Sequence, residues 1–264
     1  MLKKAQIIIK TFNRLYPDPK PFLKHKSPFE LLVAVILSAQ CTDERVNKVT
    51  PALFKAANTP KKILKLGKAK LIKYIHSCGF YNQKARTILE ASKSILEDSN
   101  GLPSKKEFVR QSQKAPRSRR FCDLYEKALS PASRGDAHIA HSHYLISSPP
   151  GRLLKDFTKI HGVGRKTASV VMAQAFKIPT FPVDTHVFRV AHRLGLSKAK
   201  TPDKTDEDLR AAFPKKFWIP LHMQFISHGR TLCAARAPKC QICPLLKICP
   251  DGKNRTKKPA APYS

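Results

Sequence analysis

Residues 160–168 read Ile160-His161-Gly162-Val163-Gly164-Arg165-Lys166-Thr167-Ala168, and this stretch decides the fold. Upstream, Leu153 to Ile160 has the spacing of a short helix. Downstream, Ala168, Val171, Met172 and Ala175 recur at helical spacing from about Arg165. A Gly-x-Gly turn between two helices makes a helix-hairpin-helix, because glycine allows positive φ and lets backbone N–H groups come close to a phosphate. A lone Gly-x-Gly is also how an ordinary tight helix connection reads. The basic pair Arg165 and Lys166 tips the reading towards phosphate.

Working outward, helix signals dominate. Ser27-Pro28-Phe29-Glu30 is a capping box with Pro at the first helical position, and it opens an apolar helix through Leu31, Val35 and Ile36. Thr42 and Thr59-Pro60 read as further caps, and Asn82 as a fourth before Ala85, Ile88, Leu89, Ile95 and Leu96. Sustained period-two alternation is absent, so the chain is expected to be all-α. From about Ser104 to Pro150 the patterning gives way to Lys, Arg, Ser, Pro and His, a composition that buries little apolar surface.

The 264 residues carry 50 Lys and Arg against 18 Asp and Glu, a formal charge of +32. A field of that sign calls for a polyanion. A hydrophobic fraction of 42% is enough for a real core, which sets the chain apart from a disordered basic tail. No stretch approaches the roughly twenty apolar residues needed to span a bilayer. Seven cysteines and no secretory leader fit a reducing compartment, with Cys41, Cys78 and Cys122 as free thiols.

Two further motifs carry chemistry. After Pro179 and Pro182 comes Val183-Asp184-Thr185-His186, then a helix with Val187, Val190, Ala191 and Leu194 on one face, so Asp184 is an N-cap candidate and capping alone would explain it. Near the C-terminus Cys233, Cys240, Cys243 and Cys249 follow the spacing Cys-x6-Cys-x2-Cys-x5-Cys. Four thiolates so close together can enclose a tetrahedral zinc or an iron-sulfur cluster. One knuckle with long flanks, and Pro244 and Pro250 after two of the ligands, lean towards iron-sulfur, but spacing alone leaves both open.

The Gly-x-Gly hairpin with Lys166, Asp184 in Val-Asp-Thr-His and the four cysteines, in that order, closely resemble the endonuclease III family of helix-hairpin-helix DNA glycosylases. Leu37-Ser38-Ala39-Gln40-Cys41-Thr42-Asp43, Tyr81-Asn82-Gln83-Lys84-Ala85 and His228-Gly229-Arg230 extend the likeness from about Phe12 to Pro250. The resemblance implies an all-α, two-domain helix-hairpin-helix glycosylase fold. Residues 23–152 would form a six-helix domain with a basic insertion at 104–150, residues 1–22 and 153–250 the hairpin and cluster domain, and 251–264 a basic disordered tail.

It also implies a [4Fe-4S] cluster on Cys233, Cys240, Cys243 and Cys249. That cluster would order a loop whose Arg236 and Lys239 lie on the DNA backbone. Gly162, Val163, Gly164 and Arg165 would hold phosphate, and Gln40 and Phe80 would fill the gap left by an extruded base. Lys166, with its amine neutral, would attack C1′, and the resulting Schiff base would lose the 3′-phosphate by β-elimination. Asp184 would face it across a groove and stabilise positive charge on the sugar, while His186 would bond locally. Relatives that cut only the glycosidic bond typically lack this lysine, so a bifunctional glycosylase and AP lyase acting on oxidised pyrimidines is expected. Its partner would be duplex DNA with damaged pyrimidines or abasic sites, met as a monomer on the nucleoid of a bacterial cytoplasm.

The readings from other classes are a non-catalytic, cluster-containing DNA-binding or damage-sensing protein on the same fold, and a zinc-stabilised basic DNA-binding module. Neither requires Lys166 and Asp184 together. One departure from the family pattern is His161, where Pro is common. It is expected to loosen the approach to the hairpin slightly.

Overall fold

The computed structural model describes residues 2–99, 154–155 and 157–257. Among these residues every regular element is helical. Helix α1 spans Leu2–Leu15, α2 Pro28–Ser38, α3 Asp43–Ala56, α4 Pro60–Ile75, α5 Tyr81–Ser99, α6 Arg165–Gln174, α7 Thr185–Arg193, α8 Pro202–Ala212, α9 Trp218–Thr231 and α10 Pro250–Lys257. The basic stretch 104–150 lies outside the described residues.

The chain divides into two compact units, Phe22–Ile178 and Met1–Pro21 with Pro179–Ser264. In the first, helix starts follow the caps that the sequence announces. Ser27 Oγ accepts the Glu30 N–H at 3.2 Å, and the Glu30 carboxylate reaches back one residue further than a capping box requires, to Lys26 N–H at 2.6 Å. Thr42 and Thr59 accept from Arg45 and Lys62 in the same way. Asn82 is no cap, since α5 already begins at Tyr81. Gly67 breaks α4 into two helical segments at φ 74°, ψ 165°, a conformation closed to residues with a Cβ.

Leu31, Leu32, Val33, Ala34 and Leu37 are all at most 1% exposed, so α2 from Leu31 to Leu37 is apolar all round and interior. Helices α3, α5 and α6 pack against it. Ala168, Val171 and Met172 of α6 belong to this same core. The border therefore falls at 178/179 and not at 152/153, because the hairpin's second helix buries its apolar face on α2.

In the other unit α7 packs on α8, α9 and α10, and α1 on α9. Its centre is aromatic: the Phe225 ring meets Phe12 edge-on at 5.1 Å and Phe181 at 5.8 Å. On α9, buried His222 Nδ1 pairs with the Pro182 carbonyl at 2.8 Å and Gln224 Nε2 donates to the Tyr16 carbonyl at 3.0 Å, while Gln224 Oε1 is buried without a partner. The expected disordered tail from Asp251 onward is instead helical to Lys257. Asp251 sits in the first turn and accepts from Arg255 one turn on at 2.6 Å, while Gly252 N–H donates to Cys249 Sγ at 3.3 Å. Residues 258–264 lie outside the described residues.

Candidate active site and cysteine centre

In the unit 22–178, the hairpin turn is held by Val163 N–H donating to the Ile160 carbonyl at 3.0 Å, with Val163 buried. Only Gly162 takes positive φ, 73°; Gly164 is extended at φ −76° and serves as the N-cap of α6. Gly162 is confined further, because a Cβ there would collide with Thr87 Cγ2 of α5. His161 does not loosen this approach. Its Nε2 bonds Glu90 Oε2 at 2.7 Å and its N–H reaches Ser94 Oγ at 3.4 Å, which fastens the turn to α5.

Arg165 and Lys166 follow as the first two residues of α6, Arg165 half-buried and Lys166 exposed. The backbone N–H groups of that first turn have no side-chain cap, the arrangement that receives an anion.

Gln40 and Phe80 both adopt left-handed backbone, φ 50° and 57°, which is uncommon for residues with a Cβ. Phe80 is 66% exposed, so it is not a core side chain. Both line a cavity of about 380 Å³ with Lys84, Thr87, Gly162 and Thr167. Lys84 is the feature that sequence reading passed over. It is 5% exposed and its Nζ is buried without a hydrogen-bond partner.

In the other unit, Asp184 caps α7, with Oδ1 accepting the Val187 N–H at 2.8 Å. His186 Nδ1 stands 3.1 Å from Arg189 Nη2. Burial, chiefly, with Arg189 and Arg230, pulls the His186 imidazole below its ordinary value, against the pull of Asp184. The same helix reaches the cysteines: Arg189 Nε donates to the Cys233 carbonyl at 3.1 Å, and Arg193 Nη1 to the Ala234 carbonyl at 2.7 Å and to Cys233 Sγ at 3.4 Å. Neither arginine was singled out in the sequence, although their four-residue spacing behind Asp184 puts them on one helix face.

Cys233, Cys240, Cys243 and Cys249 line one small cavity of about 20 Å³ with Arg193, His228, Leu246 and Gly252. Burial raises the Cys240, Cys243 and Cys249 thiols, and the neighbouring sulfurs raise each of them further. Four cysteines lining one cavity are a donor set suited to a thiophilic centre, and N–H groups of Gly252 and Arg193 point at two of the sulfurs. Among the described residues no group of three or more His, Cys, Asp or Glu is arranged to hold a single metal ion. Arg236 and Lys239, in the loop between the first two cysteines, are exposed. No described helix is long and apolar enough to cross a membrane.

Residues 33–215 match the HhH-GPD superfamily of base excision DNA repair proteins. The chain belongs to that superfamily, and within it to the endonuclease III family. It is 38% identical to endonuclease III of Rickettsia conorii over 249 residues, 93% of this chain and 96% of the relative. It is 34% identical to that of Bacillus subtilis over 258 residues, 97% and 96% of the two chains. The solved structure of a trapped endonuclease III–DNA covalent intermediate, an estranged-adenine complex, superposes with a TM-score of 0.73 at 34% identity, covering 97% of this chain and 100% of that one. A thermostable thymine-DNA glycosylase shares the fold at TM-score 0.69 and 21% identity. The protein is thus a base excision repair glycosylase and lyase, and DNA is its partner.

Proposed function

We propose that this enzyme removes oxidised pyrimidines, such as thymine glycol, from duplex DNA and then cleaves 3′ to the abasic site by β-elimination. The observation that carries this reading is Lys166, an exposed amine in the uncapped first turn of α6, directly behind the Gly162 turn. The hairpin N–H groups receive a backbone phosphate, which sets the register of the strand. Gln40 and Phe80, exposed on left-handed turns, fill the space of the extruded base. Lys166 Nζ attacks C1′ and displaces the base. The iminium then acidifies C2′, and loss of that proton expels the 3′-phosphate.

Asp184 offsets the positive charge that develops on the sugar, its carboxylate oriented by the Val187 N–H. Cys233, Cys240, Cys243 and Cys249 hold a [4Fe-4S] cluster, which when bound supplies a rigid centre for the loop bearing Arg236 and Lys239 and takes no part in the bond changes. Those two side chains lie on phosphates. The enzyme acts as a monomer in the bacterial cytoplasm.

The test is cleavage of a duplex carrying one thymine glycol beside its undamaged twin. Strand scission with a 3′ unsaturated aldehyde on the damaged duplex alone supports the reading. A free base without scission would overturn the lyase half, and no reaction on either duplex would overturn both.

A further inference from the structure

Cys41 and Cys78 have no part in that chemistry, yet they sit immediately beside its two gap-filling residues: Cys41 follows Gln40, and Cys78 stands two before Phe80. Cys41 lies close enough to act on the Cys78 thiol. The two turns also meet through backbone, since a Cβ on Gly79 would lie 3.8 Å from the Gln40 carbonyl oxygen. Cys78 is buried and Cys41 half-buried, so one sulfur is sheltered and the other open to a reagent. Lys84 and Arg45 act on Cys78, lowering it against the effect of burial, and Lys84 Nζ is buried without a hydrogen-bond partner. Cationic side chains beside a thiol favour its thiolate.

We propose that Cys41 and Cys78 form a redox-sensitive pair whose disulfide ties the Gln40 turn to the Phe80 turn. The co-reactant is a small disulfide such as oxidised glutathione. Cys41, as thiolate, attacks one glutathione sulfur, forming a mixed disulfide and releasing one glutathione thiolate. Cys78 then gives up its proton and displaces the second glutathione. The net change is two protein thiols oxidised to one disulfide and one glutathione disulfide reduced to two thiols. Burial and the neighbouring Cys41 push Cys78 up to about 11, which keeps it protonated, and the half-buried Cys41 is the sulfur a reagent reaches first.

The cross-link matters because both turns must adjust when a base leaves the stack. Gln40 and Phe80 already hold left-handed backbone, so little conformational slack remains once their neighbours are joined. The effect on cleavage rests on the function proposed above, whereas the cross-link itself does not.

The experiment treats the full-length, cluster-loaded protein with oxidised glutathione, maps its peptides without reduction, and assays scission of a thymine glycol duplex before and after adding dithiothreitol. The expected result is a Cys41–Cys78 linked peptide with cleavage falling by roughly tenfold or more, the scale of a misplaced active-site group, and recovering on reduction. Cys41→Ala, at the half-buried position, should lose the sensitivity and keep the basal rate. No linked peptide, or a linked peptide with unchanged cleavage, would overturn the proposal. So would equal sensitivity in Cys41→Ala. A reduced protein that cannot cleave would instead count against the function, and the peptide map would still decide the pair.

Discussion

Gly162 packs against Thr87 so closely that no side chain fits between them: an added Cβ would collide with Thr87 Cγ2. The φ of 73° at Gly162 adds a second reason for glycine. Gly162→Ala should therefore carry two separable penalties. The left-handed backbone costs about 1–2 kcal/mol, and the steric part depends on Thr87. Thr87→Ser removes Cγ2 but keeps the hydroxyl that donates to the Gln83 carbonyl at 3.0 Å. Urea unfolding should show a smaller Gly162→Ala penalty in the Thr87→Ser background than in wild type. Equal penalties would mean that the contact is not what confines the hairpin.

Asp184 caps α7, and one pair of variants separates that duty from the catalytic one proposed for it. Asp184→Asn keeps a cap of nearly equal quality for Val187 N–H but removes the charge, whereas Asp184→Ala removes both. Lesion cleavage should be lost in each. Thermal stability should fall only in the alanine variant, by about 1 kcal/mol. Full activity in Asp184→Asn would confine Asp184 to capping.

Stability depends on pH in one direction at two imidazoles, the buried His228, which burial lowers to about 4, and the half-buried His186. Each folded-state value lies below the ordinary 6.5, mainly through burial. Below the ordinary value the unfolded chain binds a proton that the folded one resists, so stability is fully present above that pH and declines on acidification towards the lowered value. Urea midpoints should fall below about pH 6.5, and His186→Gln should flatten that decline. An unchanged slope would place the acid sensitivity on other groups.

Arg193 ties α7 to the cysteine loop through the Ala234 carbonyl at 2.7 Å, the Ala235 carbonyl at 3.0 Å and Cys233 Sγ at 3.4 Å. Arg193→Ala leaves two carbonyls and a sulfur without these donors. Less iron per chain than wild type is expected on purification, measured by iron and acid-labile sulfide content. Undiminished iron would show that the loop holds its cluster unaided.

The helix starts were legible because caps act locally: Ser27, Thr42, Thr59 and Asp184 each bond an N–H three residues on. The hairpin turn stands within a short motif and could be read for the same reason; Lys166 and the four cysteines stand in motifs as short, and their roles are those proposed above. What failed was long-range. An all-round apolar segment such as Leu31–Leu37 shows that it is buried but not which helix covers it, so the placing of α6 in the same core could not be read and the unit border was set too early. The role of His161 was misjudged because its partners, Glu90 and Ser94, stand about seventy residues earlier. Lys84 looked like one charge among fifty; only packing reveals that its amine is buried.

The most direct measurement is borohydride reduction of the enzyme on a duplex with a single thymine glycol, comparing wild type with Lys166→Ala. Lys166 is exposed, so its loss should leave the fold intact, within about 0.5 kcal/mol. A covalent protein–DNA complex in wild type and none in a folded, DNA-binding Lys166→Ala is the expected result. A complex that forms equally well without Lys166, or none in wild type, would contradict the Schiff-base account.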